Sequence, residues 1–174
     1  VSRGFAEVDI QVNPKYSFTL FTAHLKSRRP VPEADEAELR EQEAIVLREK
    51  IDARLAANPN ANIVVVGDLN HVQNSPSTKA VIGARGKTAL FDTRPAERNG
   101  DNQPNPNPRY APRNITWTHY YGVEDSYSRI DYILLSQGMK REWLPEETYI
   151  MTSPNWGVAS DHRPIVAGFV AEDK

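Results

Sequence analysis

The chain has 174 residues, of which 39% are hydrophobic and 25% are charged, with a formal net charge of −2 and no cysteine. This composition is typical of a soluble globular protein, and we expect one domain over residues 1–174. The slightly negative charge argues against a strongly basic grip on nucleic acid but allows a local basic groove. The lack of cysteine excludes disulfides and thiolate metal sites. No segment has the pattern of a signal peptide or a membrane span, so the sequence leaves the compartment unknown.

The first third of the chain predicts a hairpin followed by a long helix. Residues 5–12 alternate between apolar and polar side chains, and residues 16–25 are rich in aromatic and β-branched side chains, so both segments predict strands. Residues 34–57 are dense in Glu, Arg, Ala and Leu, which favours a helix. The apolar residues Leu39, Ile45 (or Ala44), Leu47, Ile51 and Leu55 recur at near-helical spacing, which makes this the best predicted helix in the chain.

The remaining elements predict a mixed α/β protein. Residues 63–66 form a continuous run of Ile and Val, which is typical of a strand that is buried on both faces. A short helix is expected over residues 75–84, a long loop over 99–113, and strands over 115–121, 130–136 and 165–170. Strands combined with one dominant crossover helix indicate mixed sheets with flanking helices.

Asp68 and Asn70 follow the buried strand directly, in the sequence Gly-Asp-Leu-Asn. Ligand sites in α/β proteins favour the carboxyl ends of strands, and a Mg²⁺ site needs few protein carboxylates. The alternative is a strand end that is capped by a turn-forming Asp and Asn.

Asp131 lies inside an apolar strand pattern, where an unpartnered carboxylate is unfavourable. A histidine is its natural partner, because an Asp–His pair fixes the tautomer of the imidazole. Arg129 lies two residues away and is expected on the same face, as a substrate-binding residue. The alternative is a structural ion pair between Arg129 and Asp131.

Four further polar residues are candidates for a site. His24 and Lys26 end the second predicted strand on one face, where both could reach a phosphate oxygen. Asp161 and His162 precede the last strand, where Asp161 could bind a metal and His162 could act as acid, base or phosphate donor. The other two histidines, His71 and His119, have no partner at zinc-motif spacing, so they are interpreted as structural or peripheral.

These motifs together resemble the endonuclease/exonuclease/phosphatase superfamily of deoxyribonuclease-like hydrolases. The matching segments are Thr-Ala-His-Leu-Lys-Ser at 22–27, Val-Gly-Asp-Leu-Asn at 66–70, Arg-Ile-Asp-Tyr at 129–132 and Ser-Asp-His-Arg-Pro at 160–164. Trp117, ahead of the third segment, also fits the family pattern. Each segment alone is only weakly specific for the family. Four such segments in this order, spread across almost the whole chain, are strong evidence for the resemblance.

The resemblance implies a two-sheet α/β sandwich that hydrolyses a phosphoester by in-line attack of water, with Mg²⁺ or Mn²⁺ as cofactor. It implies that Asp68 orients or activates the water and that Asn70 binds phosphate beside it. His162 is implied to lie close to the scissile phosphate and Asp131 to pair with it. Asp68 and Asp161 are the implied metal carboxylates, and His24 resembles the family's upstream histidine.

One departure from the family pattern affects the expected activity. The family's domain normally begins earlier, with a strand that bears a metal-site Asn and another that ends in a Gln-Glu metal ligand, and neither pattern precedes the His24 motif. Gln42-Glu43 lies within the predicted helix and cannot replace it. We therefore expect an amino-terminally incomplete domain that lacks the first strands. The alternative to an active hydrolase is a catalytically inactive fragment or degenerate binding module of the same fold.

The substrate is not determined by these motifs. A nucleic acid, a sugar phosphate or a lipid head group would each suit them, and no obligate protein partner is evident. Specificity usually resides in loops, which makes the loop at 99–113 the candidate region, with Arg109, Tyr110 and Arg113 able to clamp a substrate. The alternative is that this loop is a disordered polar insert.

Overall fold

The computed structural model describes residues 4–32, 34–98 and 114–173. The predicted loop at 99–113, with Arg109, Tyr110 and Arg113, lies outside these ranges. None of the helices within them combines the length and the apolar character that crossing a bilayer requires. In chain order the elements are β1 (Ala6–Asn13), β2 (Tyr16–His24), α1 (Glu36–Ala57), β3 (Ile63–Asp68), α2 (Pro76–Ile82), β4 (Phe91–Asp92), β5 (His119–Tyr121), β6 (Ser126–Ser128), β7 (Asp131–Leu135), β8 (Trp143–Ile150), α3 (Trp156–Ala159) and β9 (Ile165–Phe169).

A mixed five-stranded sheet forms the centre of the fold, with the strand order β1-β2-β3-β7-β4. The predicted hairpin is present as β1 and β2. Strands β2 and β3 are parallel, so α1 is the crossover helix between them. Strand β7 is antiparallel to β3. This arrangement brings the carboxyl ends of β2 and β3 together with the amino end of β7 at one edge of the sheet.

Helix α1 covers one face of this sheet. Asp35 caps it, because its side chain accepts hydrogen bonds from the backbone N–H groups of Ala37 and Glu38. Buried side chains of the helix pack against β2, β3 and β7, and they include Ala44, Leu47, Ile51 and Leu55. The predicted helix is confirmed. Of its regularly spaced apolar residues, Leu39 and Ile45 are each 37% exposed. Ala44, the alternative to Ile45 in the sequence pattern, is the residue that packs in the core.

A second sheet covers the other face. The hairpin β8–β9 packs its apolar side chains, including Trp143, Ile165, Ala167 and Phe169, against those of β3 and β7. The fold is therefore an α/β sandwich in which mixed sheets pack face to face with flanking helices, as the sequence predicted. The sequence pattern missed β4, β6, β8 and α3. In β8, Pro145, Glu146 and Glu147 interrupt the apolar alternation that marks a strand.

Candidate functional site

The parallel pairing of β2 with β3 places two of the predicted site residues side by side. His24 is in register with Asp68, the last residue of each strand, and Nε2 of His24 lies 3.4 Å from Oδ2 of Asp68. Gly67 makes this close approach possible. It has a φ of 143°, and a Cβ atom at this position would lie 1.8 Å from the carbonyl oxygen of Ala23. The glycine in the Gly-Asp-Leu-Asn motif is thus needed for the contact between the two strands.

Asn70 holds the Asp68 carboxylate in place. The backbone N–H of Asn70 donates to Oδ1 of Asp68 at 2.7 Å, and its side-chain amide donates to Oδ2 at 3.1 Å. The same amide donates to the carbonyl oxygen of Leu25 at 2.9 Å. Asn70 has a φ of 54°, a left-handed conformation that Asn tolerates better than most residues. The amide hydrogens thus orient Asp68, and direct phosphate binding by Asn70 stays a prediction.

Asp131 and His162 form the pair that the sequence suggested. Oδ2 of Asp131 lies 2.9 Å from Nδ1 of His162, and it also accepts a hydrogen bond from the hydroxyl of Thr118 at 2.6 Å. The Thr118 oxygen in turn accepts from the backbone N–H groups of Ile130 and Asp131. The hydrogen bond with Asp131 raises the pKa of His162, and the nearby negative charge of Asp68 adds to this effect.

The Asp131–His162 pair lies against Asp68. Strand pairing puts Asp131 directly opposite Asp68, and Nε2 of His162 is 3.9 Å from Oδ2 of Asp68. One ligand atom from each of the three residues lies within 4.8 Å of the others, and we call Asp68, Asp131 and His162 the Asp68 cluster. Burial raises the pKa of Asp68, and the negative charge of Asp131 raises it further. Two carboxylates and one imidazole thus share a confined space.

Arg129 and Lys26, the two predicted substrate-binding cations, are engaged elsewhere in the fold. Both terminal nitrogens of Arg129 bond the carboxylate of Asp92, at 3.0 and 2.6 Å, and both side chains are largely buried. The alternative prediction of an ion pair between Arg129 and Asp131 is wrong, because β4 brings Asp92 next to β7 and Arg129 pairs with Asp92 instead. The ammonium of Lys26 donates to the carbonyl oxygens of Ser27 and Arg29. Substrate binding by either cation stays a prediction.

His119 is the residue that the sequence interpretation missed. It pairs with His162 through an isolated antiparallel bridge, and the centroids of their rings are 4.6 Å apart. Asp161 lies beside it, with 3.6 Å between Oδ2 of Asp161 and Nε2 of His119. His119 lies close to Asp161 and His162 because β5 packs along residues 161–162. This is a long-range contact that the spacing of residues in the sequence does not reveal. We call His119, Asp161 and His162 the His119 cluster.

The remaining histidine, His71, lies outside both clusters among the described residues. Its Nδ1 accepts a hydrogen bond from the backbone N–H of Val72 at 2.9 Å. Burial lowers its pKa, and the positive charge of Arg40 lowers it further. This placement agrees with the peripheral role that the sequence suggested.

The sequence profile of the Endonuclease/Exonuclease/phosphatase family matches residues 2–162, which is most of the chain. The chain belongs to this family. No curated protein sequence matches it.

Solved structures with the fold of this family superpose on the chain at low sequence identity. β toxin from Staphylococcus aureus is 20% identical with a TM-score of 0.62, and the match covers 96% of this chain and 57% of the toxin. Sphingomyelinase C from Streptomyces griseocarneus is also 20% identical, with a TM-score of 0.58 and the same coverage of 96% and 57%. The 3′ phosphatase NExo from Neisseria is 13% identical, with a TM-score of 0.61 and coverage of 91% and 66%. The chain thus spans less than two thirds of the length of these family structures.

Proposed function

We propose that this chain hydrolyses a phosphoester by in-line attack of water, with Mg²⁺ or Mn²⁺ as cofactor. The observation that carries the proposal is the hydrogen bond between Asp131 and His162, at 2.9 Å, which turns the imidazole so that Nε2 faces the largely buried carboxylate of Asp68. Family membership supports phosphoester chemistry of this kind. A nucleic acid, a sugar phosphate and a lipid head group are all candidate substrates.

His162 is the proposed donor to the phosphate. Because Asp131 accepts the proton at Nδ1, Nε2 is the ring nitrogen that is directed toward a ligand. The raised pKa of His162 keeps the ring protonated to higher pH, so that Nε2–H donates to a phosphoryl oxygen. A charged hydrogen bond of this type stabilises the negative charge that develops on phosphate in the transition state.

Asp68 is the proposed acceptor for the attacking water. Its raised pKa makes it a better proton acceptor than an ordinary carboxylate, because burial disfavours its charged form. The hydrogen bonds from Asn70 fix its orientation. His24 is half-exposed beside Asp68, which supports the proposal that it contacts the phosphate or the leaving group.

The donor set of this region suits a hard divalent cation. Asp68 and Asp161 belong to separate clusters that share His162. They are the carboxylates proposed to hold Mg²⁺ or Mn²⁺, with water and substrate oxygens as the remaining ligands. When bound, such an ion neutralises charge on the phosphoryl oxygens. A variant of S. aureus β toxin has a structure with bound magnesium ions, and it superposes on this chain with a TM-score of 0.56 at 17% identity.

Titles of two of the superposed structures describe different substrates, so the substrate class needs a direct test. NExo is a 3′ phosphatase that was solved with a product DNA hairpin, and the second protein is named a sphingomyelinase. A panel of DNA, sugar phosphates and sphingomyelin, each with Mg²⁺ or Mn²⁺, would distinguish these classes for the present chain.

The decisive experiment measures hydrolysis of the panel by the unaltered chain, Asp68→Asn, His162→Gln and the control His71→Gln. We expect activity with Mg²⁺ or Mn²⁺, a loss of about 10³-fold or more in the first two variants, and little change in the control. Activity that survives in Asp68→Asn or His162→Gln would contradict the proposed roles. No activity with any substrate, together with no cation binding by calorimetry, would favour the inactive binding module.

A further inference from the structure

His119 is a buried imidazole beside the Asp68 cluster, and the proposed mechanism gives it no role. Its side chain is 12% exposed, and its Nδ1 has no hydrogen-bond partner in the described part of the chain. Its Nε2 is 3.6 Å from Oδ2 of Asp161, which is beyond hydrogen-bonding distance. Within the described residues neither ring nitrogen is therefore committed to a hydrogen bond, and Nε2 is available to a metal ion.

The spacing of the His119 cluster fits a small divalent cation. One ligand atom each from His119, Asp161 and His162 lies within 4.8 Å of the other two. Two atoms that each bind a tetrahedral Zn²⁺ at about 2.0–2.1 Å are about 3.4 Å apart. The 3.6 Å between Nε2 of His119 and Oδ2 of Asp161 is close to this value. His162 lies within 4.8 Å of both and would have to move closer to complete the site.

His162 already has the partner that a metal-binding histidine needs. Its Nδ1 is held by Oδ2 of Asp131, and Asp131 is held by the Thr118 hydroxyl. Metal-binding histidines almost always direct their second ring nitrogen to a carboxylate or a carbonyl, which fixes the ring and makes the ligating nitrogen more basic. Nε2 of His162 is therefore the nitrogen that is free to join the site.

The chemistry of the ligands selects the cation. Two imidazole nitrogens and one carboxylate oxygen suit Zn²⁺ and similar borderline ions, whereas Mg²⁺ prefers oxygen ligands alone. The Asp161 side chain is 70% exposed, so an ion can reach the cluster from solvent and keep a water ligand. We propose that His119, Asp161 and His162 form a binding site for Zn²⁺ or a similar borderline cation, and that an ion there inhibits hydrolysis.

The inhibitory part rests on the proposed function. An ion on Nε2 of His162 takes the lone pair that otherwise carries the proton donated to phosphate. The same ion also occupies Asp161, one of the two proposed Mg²⁺ carboxylates. Zn²⁺ at the His119 cluster and Mg²⁺-supported hydrolysis therefore compete for two side chains.

Calorimetric titration of Zn²⁺ into the full, chelator-treated chain tests the site, with His119→Gln, Asp161→Asn and the control His71→Gln. We expect one Zn²⁺ per chain for the unaltered protein and for His71→Gln, and an affinity at least about tenfold lower in the other two variants. Circular dichroism checks that each variant folds. Because the Asp161 side chain is 70% exposed, Asp161→Asn tests the site without disturbing the core. Equal Zn²⁺ affinity in all four proteins, or no stoichiometric binding, overturns the proposal.

Inhibition is measured separately, as the Mg²⁺-supported rate with increasing Zn²⁺ relative to each variant's own rate without Zn²⁺. Half-maximal inhibition should occur near the calorimetric Kd and shift upward at least about tenfold in His119→Gln. If Zn²⁺ binding depends on His119 but the chain shows no detectable hydrolysis, the Zn²⁺ site is supported and the proposed function is contradicted. Hydrolysis that is insensitive to Zn²⁺ bound through His119 overturns the inhibitory role.

Discussion

Oδ2 of Asp131 accepts hydrogen bonds from both Nδ1 of His162 and the hydroxyl of Thr118, at 2.9 and 2.6 Å. This shared oxygen joins residues from three separate segments of the chain. Because this oxygen holds Nδ1 of His162, Nε2 is the ring nitrogen that faces Asp68 and remains available to a ligand.

Thr118 is expected to act as a positioning residue for this pair. Thr118→Val removes the hydroxyl but preserves the shape of the side chain, so the Asp131 carboxylate loses one of its two anchors. We expect kcat to fall about 10–100-fold with little change in KM, whereas Thr118→Ser should keep most of the activity. NMR titration should show a lower pKa of His162 in the valine variant only. A loss of stability without a change in that pKa would indicate a merely structural role.

The raised pKa of His162 predicts a pH-dependent contribution to folding. Because its folded pKa lies above the ordinary value of 6.5, the charged ring stabilises the fold fully below pH 6.5. That stabilisation is lost as the pH rises through the folded pKa. His162→Gln should therefore lower the free energy of unfolding more at about pH 5.5 than at about pH 9, as measured by urea unfolding without metal. An equal loss at both pH values would contradict the assigned pairing with Asp131.

Gly67→Ala should disrupt the contact between β2 and β3. The added Cβ would lie 1.8 Å from the carbonyl oxygen of Ala23, and the nearest atoms are all backbone atoms of Ala23, which cannot turn aside as a side chain can. We expect a loss of at least about 3 kcal/mol in the free energy of unfolding. Gly86→Ala is the matched control, because Gly86 has a φ of 140° but, among the residues that the structure describes, no atom lies within 4 Å of the added Cβ. Its loss should be only about 1–2 kcal/mol. Similar losses in both variants would show that the dihedral angle, and not the contact, is responsible.

Arg163 and Glu97 form a buried ion pair behind His162. Their side chains are 2% and 8% exposed, and the backbone N–H of Arg163 donates to the carbonyl oxygen of Thr118. Glu97→Gln leaves the guanidinium buried without its charge partner, which should lower the free energy of unfolding by about 3–5 kcal/mol.

The exposed pair of Arg98 and Glu147, with 2.9 Å between its charged atoms, provides the comparison. Glu147→Gln should lower the free energy of unfolding by less than about 1 kcal/mol, because water screens the pair. Urea unfolding of both variants measures the difference. Equal losses would mean that burial does not determine the importance of the Arg163–Glu97 pair.

Much of the fold was predictable because its strongest elements carry local patterns. The hairpin of β1 and β2, helix α1 and the buried strand β3 follow from side-chain periodicity and composition over adjacent residues. The weaker strands were not predictable in this way. Strand β4 has only two residues, and β8 contains Pro145 and two glutamates on exposed positions, so each forms because the neighbouring strand pairs with it.

The sequence by itself placed both His24 and Asp68 at the ends of predicted strands. The tertiary structure decided that these two strands pair in parallel, which brings the two side chains together. The sequence also determined that Asp131 needed a partner, because an isolated buried carboxylate is unfavourable. Only the tertiary structure decided that Asp92 binds Arg129 and that His119 joins Asp161 and His162. Those contacts connect residues that are 37 and 42 or more positions apart. Such contacts depend on how strands pack, which the spacing of residues along the chain does not encode.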